Sequence, residues 1–171
     1  MSSILNSANK ELMEYGIKKQ IRLGTTASVL LIQNDKYYVA HVGDSRVYHF
    51  SSILQQVTED DSVAAEKVRR GEITQLEYEN SREQHILTQC VGVNASLNIH
   101  FYAGNVAAED VFFLCCDGMY HHLAYDELKA VMITQRRERG VAISTAIERL
   151  IDRIISRGEK DNITGAIICC I

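Results

Sequence analysis

The sequence predicts an α+β domain in which a mainly antiparallel sheet or sandwich is layered with helices. Three observations carry this reading. Residues 25–57 hold four short apolar or β-branched runs separated by turns of two or three residues. Connections that short force antiparallel pairing, because a parallel crossover needs a dozen residues or more. Two later runs, LNIHFYAGNV and DVFFLCC, read as another strand pair, and helical periodicity is concentrated at the start of the chain and between 124 and 157. With 171 residues the chain has the size of a single domain, 1–171.

Taken in order, residues 2–20 read as a helix, with Ile4, Leu5, Ala8, Leu12 and Tyr15 on one stripe, Ser2 or Ser3 as its cap and Gly24 as its break. TTASVLLIQ, KYYVAHV, RVYHF and ILQQV are the four strands. Their turns are Asn34-Asp35, Gly43-Asp44-Ser45 and Ser51-Ser52. Residues 58–85 are a charged insert with two short helical patterns, stopped between them at Gly71; Val63, Ala64 and Val68 are the apolar face of the first, which suits a mobile, flap-like functional loop and equally an inert solvated excursion. A short helix over 124–134 is followed by a longer one over 140–157. In the longer helix Ala142, Ala146, Leu150 and Ile154 lie beside Ile143, Ile147, Ile151 and Ile155, a broad face meant for a sheet. Gly158 ends it, and NITGAIICCI closes the chain as a buried strand.

Composition narrows the function. Apolar residues at 46% and charged ones at 23% are globular values, not those of a disordered chain. The net charge of −4 disfavours a nucleic-acid partner. The longest apolar runs are about five or six residues, against the ~20 that cross a bilayer, and no signal peptide is visible, so a cytoplasmic setting without a membrane is expected. Five cysteines, four of them in the vicinal pairs Cys115-Cys116 and Cys169-Cys170, read as reduced thiols, since strand neighbours point to opposite faces. There is no proline, so turns are built from Gly, Asn, Asp and Ser.

Two aspartates stand out. Asp117 follows an apolar strand at a glycine turn, and Asp161 precedes one. Such carboxylates are hard ligands suited to Mg²⁺ or Mn²⁺ rather than Zn²⁺, although a turn and a cap are the plain alternatives.

The order of motifs then adds a family. LGTTASVLLI, YYVAHVGDSRVYHF, LQQVTEDDS, VRRGEIT, HILTQCVG, DVFFLCCDGMYHHL and DNITGAII, taken in sequence, resemble the blocks of metal-dependent protein serine/threonine phosphatases of the type 2C (PPM) family in their bacterial form. The resemblance runs from about residue 20 to 171. It implies an antiparallel β-sandwich flanked by helices in α-β-β-α layers. It implies hydrolysis of phosphoserine and phosphothreonine in proteins, with a water activated by two Mn²⁺ or Mg²⁺ ions. Carried over, Asp117 and Asp161 match metal ligands, and Asp60 matches a residue that, with the aspartate at the Asp117 position, helps hold a third, weaker ion. Gly118 and Asn162 support that corner. Asp44 and Arg46 belong to a hairpin read as structural.

His41 and His49 read as satisfied structural histidines, and His121-His122 as near the site but poor ligands for hard cations. Cys116 stands where the family usually has Ser, and Asp61 where it usually has His. Nothing in residues 1–24 matches the family's opening strands, which carry the phosphate-binding arginine and the aspartate that bridges both metals. The chain is therefore expected to be incomplete at the N-terminus, poorly active alone, and to have sheet edges open to self-association. A phosphoprotein substrate and a serine/threonine kinase partner are implied. The competing readings are a non-catalytic pseudophosphatase that binds proteins or phosphoproteins, and an unrelated structural domain.

Overall fold

The computed structural model of the chain describes residues 1–138 and 142–171. Its elements are α1 (Ser2–Lys19), β1 (Ala27–Gln33), β2 (Lys36–Val42), β3 (Arg46–Phe50), β4 (Leu54–Gln56), α2 (Val63–Arg69), α3 (Gln75–Glu79), a 3-10 turn (Arg82–His85), β5 (His100–Asn105), β6 (Val111–Cys115), α4 (Asp117–Tyr120), α5 (Tyr125–Arg137), α6 (Ile143–Ser156) and β7 (Gly165–Cys169). Strands β1-β2-β5 form one sheet and β4-β3-β6-β7 another. The expected class, antiparallel sheets with helices, is the one found. The first two residues of the expected helix 140–157 lie outside the described residues.

The connectivity differs from the sequence reading in two places. Strands β2 and β3 do not pair, although only three residues separate them. A hairpin turn closes by bonding its two ends to each other. Here the Gly43 backbone is bonded at both groups by Asp61, whose Oδ2 accepts from Gly43 N–H at 2.8 Å and whose own N–H donates to Gly43 O at 2.8 Å. The turn therefore takes the chain out of one sheet and into the other. Gly43 has φ +107°, and a Cβ there would lie 2.3 Å from Thr26 Cγ2, so only glycine fits. Likewise β5 and β6 are not a pair: β6 lies between β3 and β7.

The chain divides into two compact units. The second comprises residues 32–37, 46–58 and 104–171 and holds the whole four-stranded sheet. Its centre is apolar because β3 and β6 are buried on both faces. Tyr48 pairs with Phe113 and Phe50 with Val111. On that face they join Met119, Leu128, Met132, Leu150, Ile154 and Ile167 in one cluster, to which α4, α5 and α6 all contribute. On the other face His49 stacks on Phe112 at 4.4 Å, and Tyr37 meets both rings edge-on at 5.2 Å. His49 Nε2 bonds Asp110 Oδ2 at 2.9 Å, which makes it the satisfied structural histidine expected. The α6 stripe is narrower than read. Leu150 and Ile154 are buried and Ile143, Ile147 and Ile151 half-buried, while Ile155 is exposed. α5 runs three residues past the expected end. α4 was not foreseen, and the closing strand starts only at Gly165.

The first unit comprises residues 1–31, 38–45 and 59–103. α1 starts from Met1 without a side-chain cap and ends where Gln20 turns left-handed at φ 54°, earlier than Gly24. Of the expected stripe Leu5 is buried and Ala8 and Leu12 are half-buried, while Ile4 and Tyr15 are exposed; Asn9 and Gly16 are the other buried residues of the helix. The Asn9 amide fixes this face by accepting from Gly92 N–H at 2.7 Å and donating to Asn94 O at 2.9 Å. HILTQCVG makes only isolated bridges, Ser62 to Leu87 and Thr25 to Val91. The insert has its two helices, each capped by a side chain (Ser62, Thr74), with Gly71 between them.

Candidate metal site

The site follows from sheet register. β6 and β7 are antiparallel neighbours with Cys115 opposite Gly165. The residues just after β6 and just before β7 must therefore leave the sheet at the same end, which brings Asp117 beside Asp161 without any long-range coincidence. The contact is close. A Cβ built on Gly118 would lie 2.4 Å from Asn162 O and 3.4 Å from Asp161 Cβ, so any larger residue at 118 pushes the two segments apart.

Short hydrogen bonds orient both carboxylates. Asp117 Oδ1 accepts from Gly118 N–H at 2.8 Å, and Asp161 Oδ1 accepts from Asn162 N–H at 2.7 Å. Asp117 is half-buried and Asp161 exposed. Glu159 shapes the approach to Asp161: its Oε1 accepts from Lys160 N–H at 2.7 Å and Asp161 N–H at 2.9 Å, and His122 Nε2 lies 3.6 Å from Oε2. The bond from the Asp161 amide, then that from Lys160 and the nearby His122 and His121, hold the Glu159 carboxyl below its ordinary range against a smaller opposing effect of burial. Cys116 ties the corner further. Its N–H donates to Thr164 O at 3.1 Å, its thiol donates to Asn162 O at 3.2 Å, and its sulfur accepts from Thr164 N–H at 3.1 Å.

The structure thus brings Asp117, Gly118, Asp161 and Asn162 together. Arg46 is in the same unit and is engaged otherwise: its guanidinium lies 3.5 Å over the Tyr120 ring and donates to Tyr48 Oη at 3.2 Å. Asp60 and Asp44 belong to the first unit and are buried. Asp60 Oδ2 accepts from Tyr78 O–H at 2.6 Å, and its carbonyl accepts from Arg69 at 3.3 Å. Asp61 Oδ1 lies 2.9 Å from His100 Nε2. His41, fully buried, reaches Ser28 Oγ at 2.8 Å and Glu59 O at 3.1 Å; burial pushes its pKa down. It is structural, as expected.

Sequence reasoning missed Glu159, the Cys116 sulfur and Tyr78. Glu159 sits two residues before a singled-out aspartate, and that spacing was the available signal. Nothing in the sequence marked Tyr78 as the partner of Asp60.

All five cysteines are free, and burial pushes the Cys169 and Cys170 thiols up. That agrees with reduced, unreactive thiols. No helix among the described residues is long and apolar enough to cross a membrane.

Comparison with known proteins gives the class. The family model for Protein phosphatase 2C matches residues 2–69. The serine/threonine phosphatase stp of Listeria monocytogenes is 26% identical over 171 residues, covering 98% of this chain and 66% of that protein. The structure of the Streptococcus agalactiae serine/threonine phosphatase superposes with a TM-score of 0.87 at 24% identity, covering 98% of this chain and 68% of that one. The catalytic domain of the serine/threonine protein phosphatase PstP in complex with two manganese ions gives 0.77 at 23%, covering 93% and 65%.

The fold is therefore that of the type 2C protein phosphatases. Named bacterial serine/threonine phosphatases are similar to it along almost the whole chain, so the resemblance read from the sequence stands. The chain spans just under two thirds of the length of the curated relatives.

Proposed function

We propose that this chain carries the metal corner of a metal-dependent phosphatase acting on phosphoserine and phosphothreonine in proteins, with Asp117 and Asp161 as ligands of Mn²⁺ or Mg²⁺. The observation that supports it best is the contact of the Asp117-Gly118 turn with Asp161-Asn162. The donor set fits a hard cation. Both ligands are carboxylates, and each spends Oδ1 on an adjacent N–H, which fixes its direction. When bound, the ions lower the pKa of a water and neutralise charge on the phosphoryl group.

The chain's own part is positional. Gly118 permits the close approach, Asn162 N–H and Gly118 N–H aim the carboxylates, and Glu159 holds the backbone ahead of Asp161. Two carboxylates alone hold a divalent ion loosely, with a Kd on the order of 10⁻⁴–10⁻³ M, so turnover by residues 1–171 is expected to be slow. Asp60, whose Oδ2 accepts from Tyr78, is proposed as a ligand of a further, weaker ion through its other oxygen. A phosphoprotein substrate, a serine/threonine kinase counterpart, a cytoplasmic setting and self-association through open sheet edges belong to the same proposal.

The test is Mn²⁺-dependent phosphate release from a phosphothreonine peptide, with Asp117→Asn and Asp161→Asn as controls. Release that falls about 10²–10³-fold in either variant supports the reading. Phosphopeptide binding without Mn²⁺ binding, indifferent to both substitutions, would point to the non-catalytic module instead.

A further inference from the structure

We infer that Cys116 is a positioning residue of the proposed metal site, a sulfur latch that sets the spacing of Asp117 and Asp161; the inference rests on the metal reading above. Cys116 is the residue before Asp117, and its sulfur is the only side chain among the described residues to bond both ends of the Asn162–Thr164 segment. The thiol donates to Asn162 O, and the sulfur accepts from Thr164 N–H. The backbone bond from Cys116 N–H to Thr164 O closes the same contact.

These bonds matter because of where the sheet stops. The ladder between β6 and β7 ends at the Cys115–Gly165 pair, so the strands themselves do not hold residues 161–164 against 116–118. Beyond that pair, cohesion comes from the Cys116 bonds, the packing of Gly118 against Asn162 O and the seating of Ile163 on the core cluster. The second contact limits only how near the segments come; the sulfur bonds limit how far apart they drift. Asp161 and Asn162 are exposed, and Ile163 is the residue of the segment that packs, half-buried, on the core cluster, so burial anchors its middle while the sulfur bonds hold its two ends. A hydroxyl at 116 has the same donor and acceptor capacity as the thiol, whereas a methyl has neither.

The experiment uses residues 1–171 as Cys116, Cys116→Ser and Cys116→Ala, with two readouts. Amide exchange of Thr164 is followed first, without metal. Cys116→Ala is expected to speed it about tenfold and Cys116→Ser to leave it within about threefold, in line with the loss or retention of a single bond. Unchanged Thr164 exchange in Cys116→Ala overturns the latch. Mn²⁺ binding is then measured by loss of the free-ion spin-resonance signal. About tenfold weaker binding in Cys116→Ala, restored by Cys116→Ser, supports the positioning role. Equal binding by all three chains overturns that role even if exchange changes. A parent chain that binds no Mn²⁺ overturns the metal reading and the function assigned to the latch, and the exchange result separates that failure from a failure of the latch geometry.

Discussion

Two places in this chain gather carboxylates, and they do so in opposite ways. At the root of the insert, Asp60 and Asp61 are 4% and 3% exposed. Asp60 is bonded by a tyrosine hydroxyl, and Asp61 by a glycine N–H and a histidine. At the corner between β6 and β7, Asp117 and Asp161 are partly or fully open to solvent, and each accepts from the amide that follows it. A buried carboxylate must be satisfied by the protein, because an unpaired charge away from water costs several kcal/mol. A carboxylate at a rim can stay ionised in water and meet a cation. The first pair therefore builds structure, by turning the chain at Gly43, and the second pair suits a ligand.

Removal of a member of the buried pair is expected to have the largest effect. Asp61→Ala strands Gly43 N–H and His100. It is expected to cost about 2–4 kcal/mol of stability in urea unfolding, as loss of one partner in a buried hydrogen-bonded set does. A cost under about 0.5 kcal/mol would mean that the insert root is not held as described. Gly118→Ala comes next. Its Cβ meets a backbone oxygen at 2.4 Å, so the corner must open, and the expected result is a loss of about 1–3 kcal/mol together with Mn²⁺ affinity. If the rim pair is a ligand pair, Asp117→Asn and Asp161→Asn leave stability within about 0.5 kcal/mol, the range of surface substitutions, while changing ion binding.

The smallest effect concerns acid. Glu127 accepts from Arg157, Arg153 and the Ala124 N–H, and the Arg157 bonds lead in holding its carboxyl down at about 2. A depressed carboxyl contributes stability above its unfolded value near 4.5 and loses it as pH falls toward 2. The clamp is largely solvent-screened, so its share of acid sensitivity is modest. Glu127→Gln should flatten the unfolding midpoint between pH 4.5 and 2, and an unchanged slope would show that the clamp contributes nothing.

Much of the fold was legible because strands β1 to β4 are short, β-branched and punctuated by turn residues. The sheet switch at Gly43 was not. GDS reads as a hairpin turn, and only Asp61, eighteen residues away, reveals that the Gly43 backbone is bonded elsewhere. The corner was legible for a related reason: Asp117 and Asp161 flank apolar strands, and once β6 and β7 pair, their meeting is forced. The insert reads as a weakly anchored flap because its sequence is charged. Of its first residues, Thr58, Asp60, Asp61 and Ser62 are in fact buried, since polar side chains hold them where apolar ones would ordinarily do so, while Glu59 is exposed. Slow amide exchange is therefore expected at Asp61, whose N–H bonds Gly43 O, and faster exchange across 70–85, where hydrophobic anchors are few.

In the proposed reading the open corner takes the principal ion, and the buried pair is not needed for its binding. The most direct measurement is a Mn²⁺ titration of residues 1–171 followed by the free-ion spin-resonance signal, run beside Asp161→Asn and Asp60→Asn. Binding at about 10⁻⁴–10⁻³ M that is lost in Asp161→Asn and kept in Asp60→Asn is the predicted result. Binding that survives Asp161→Asn, or that disappears only in Asp60→Asn, would contradict it.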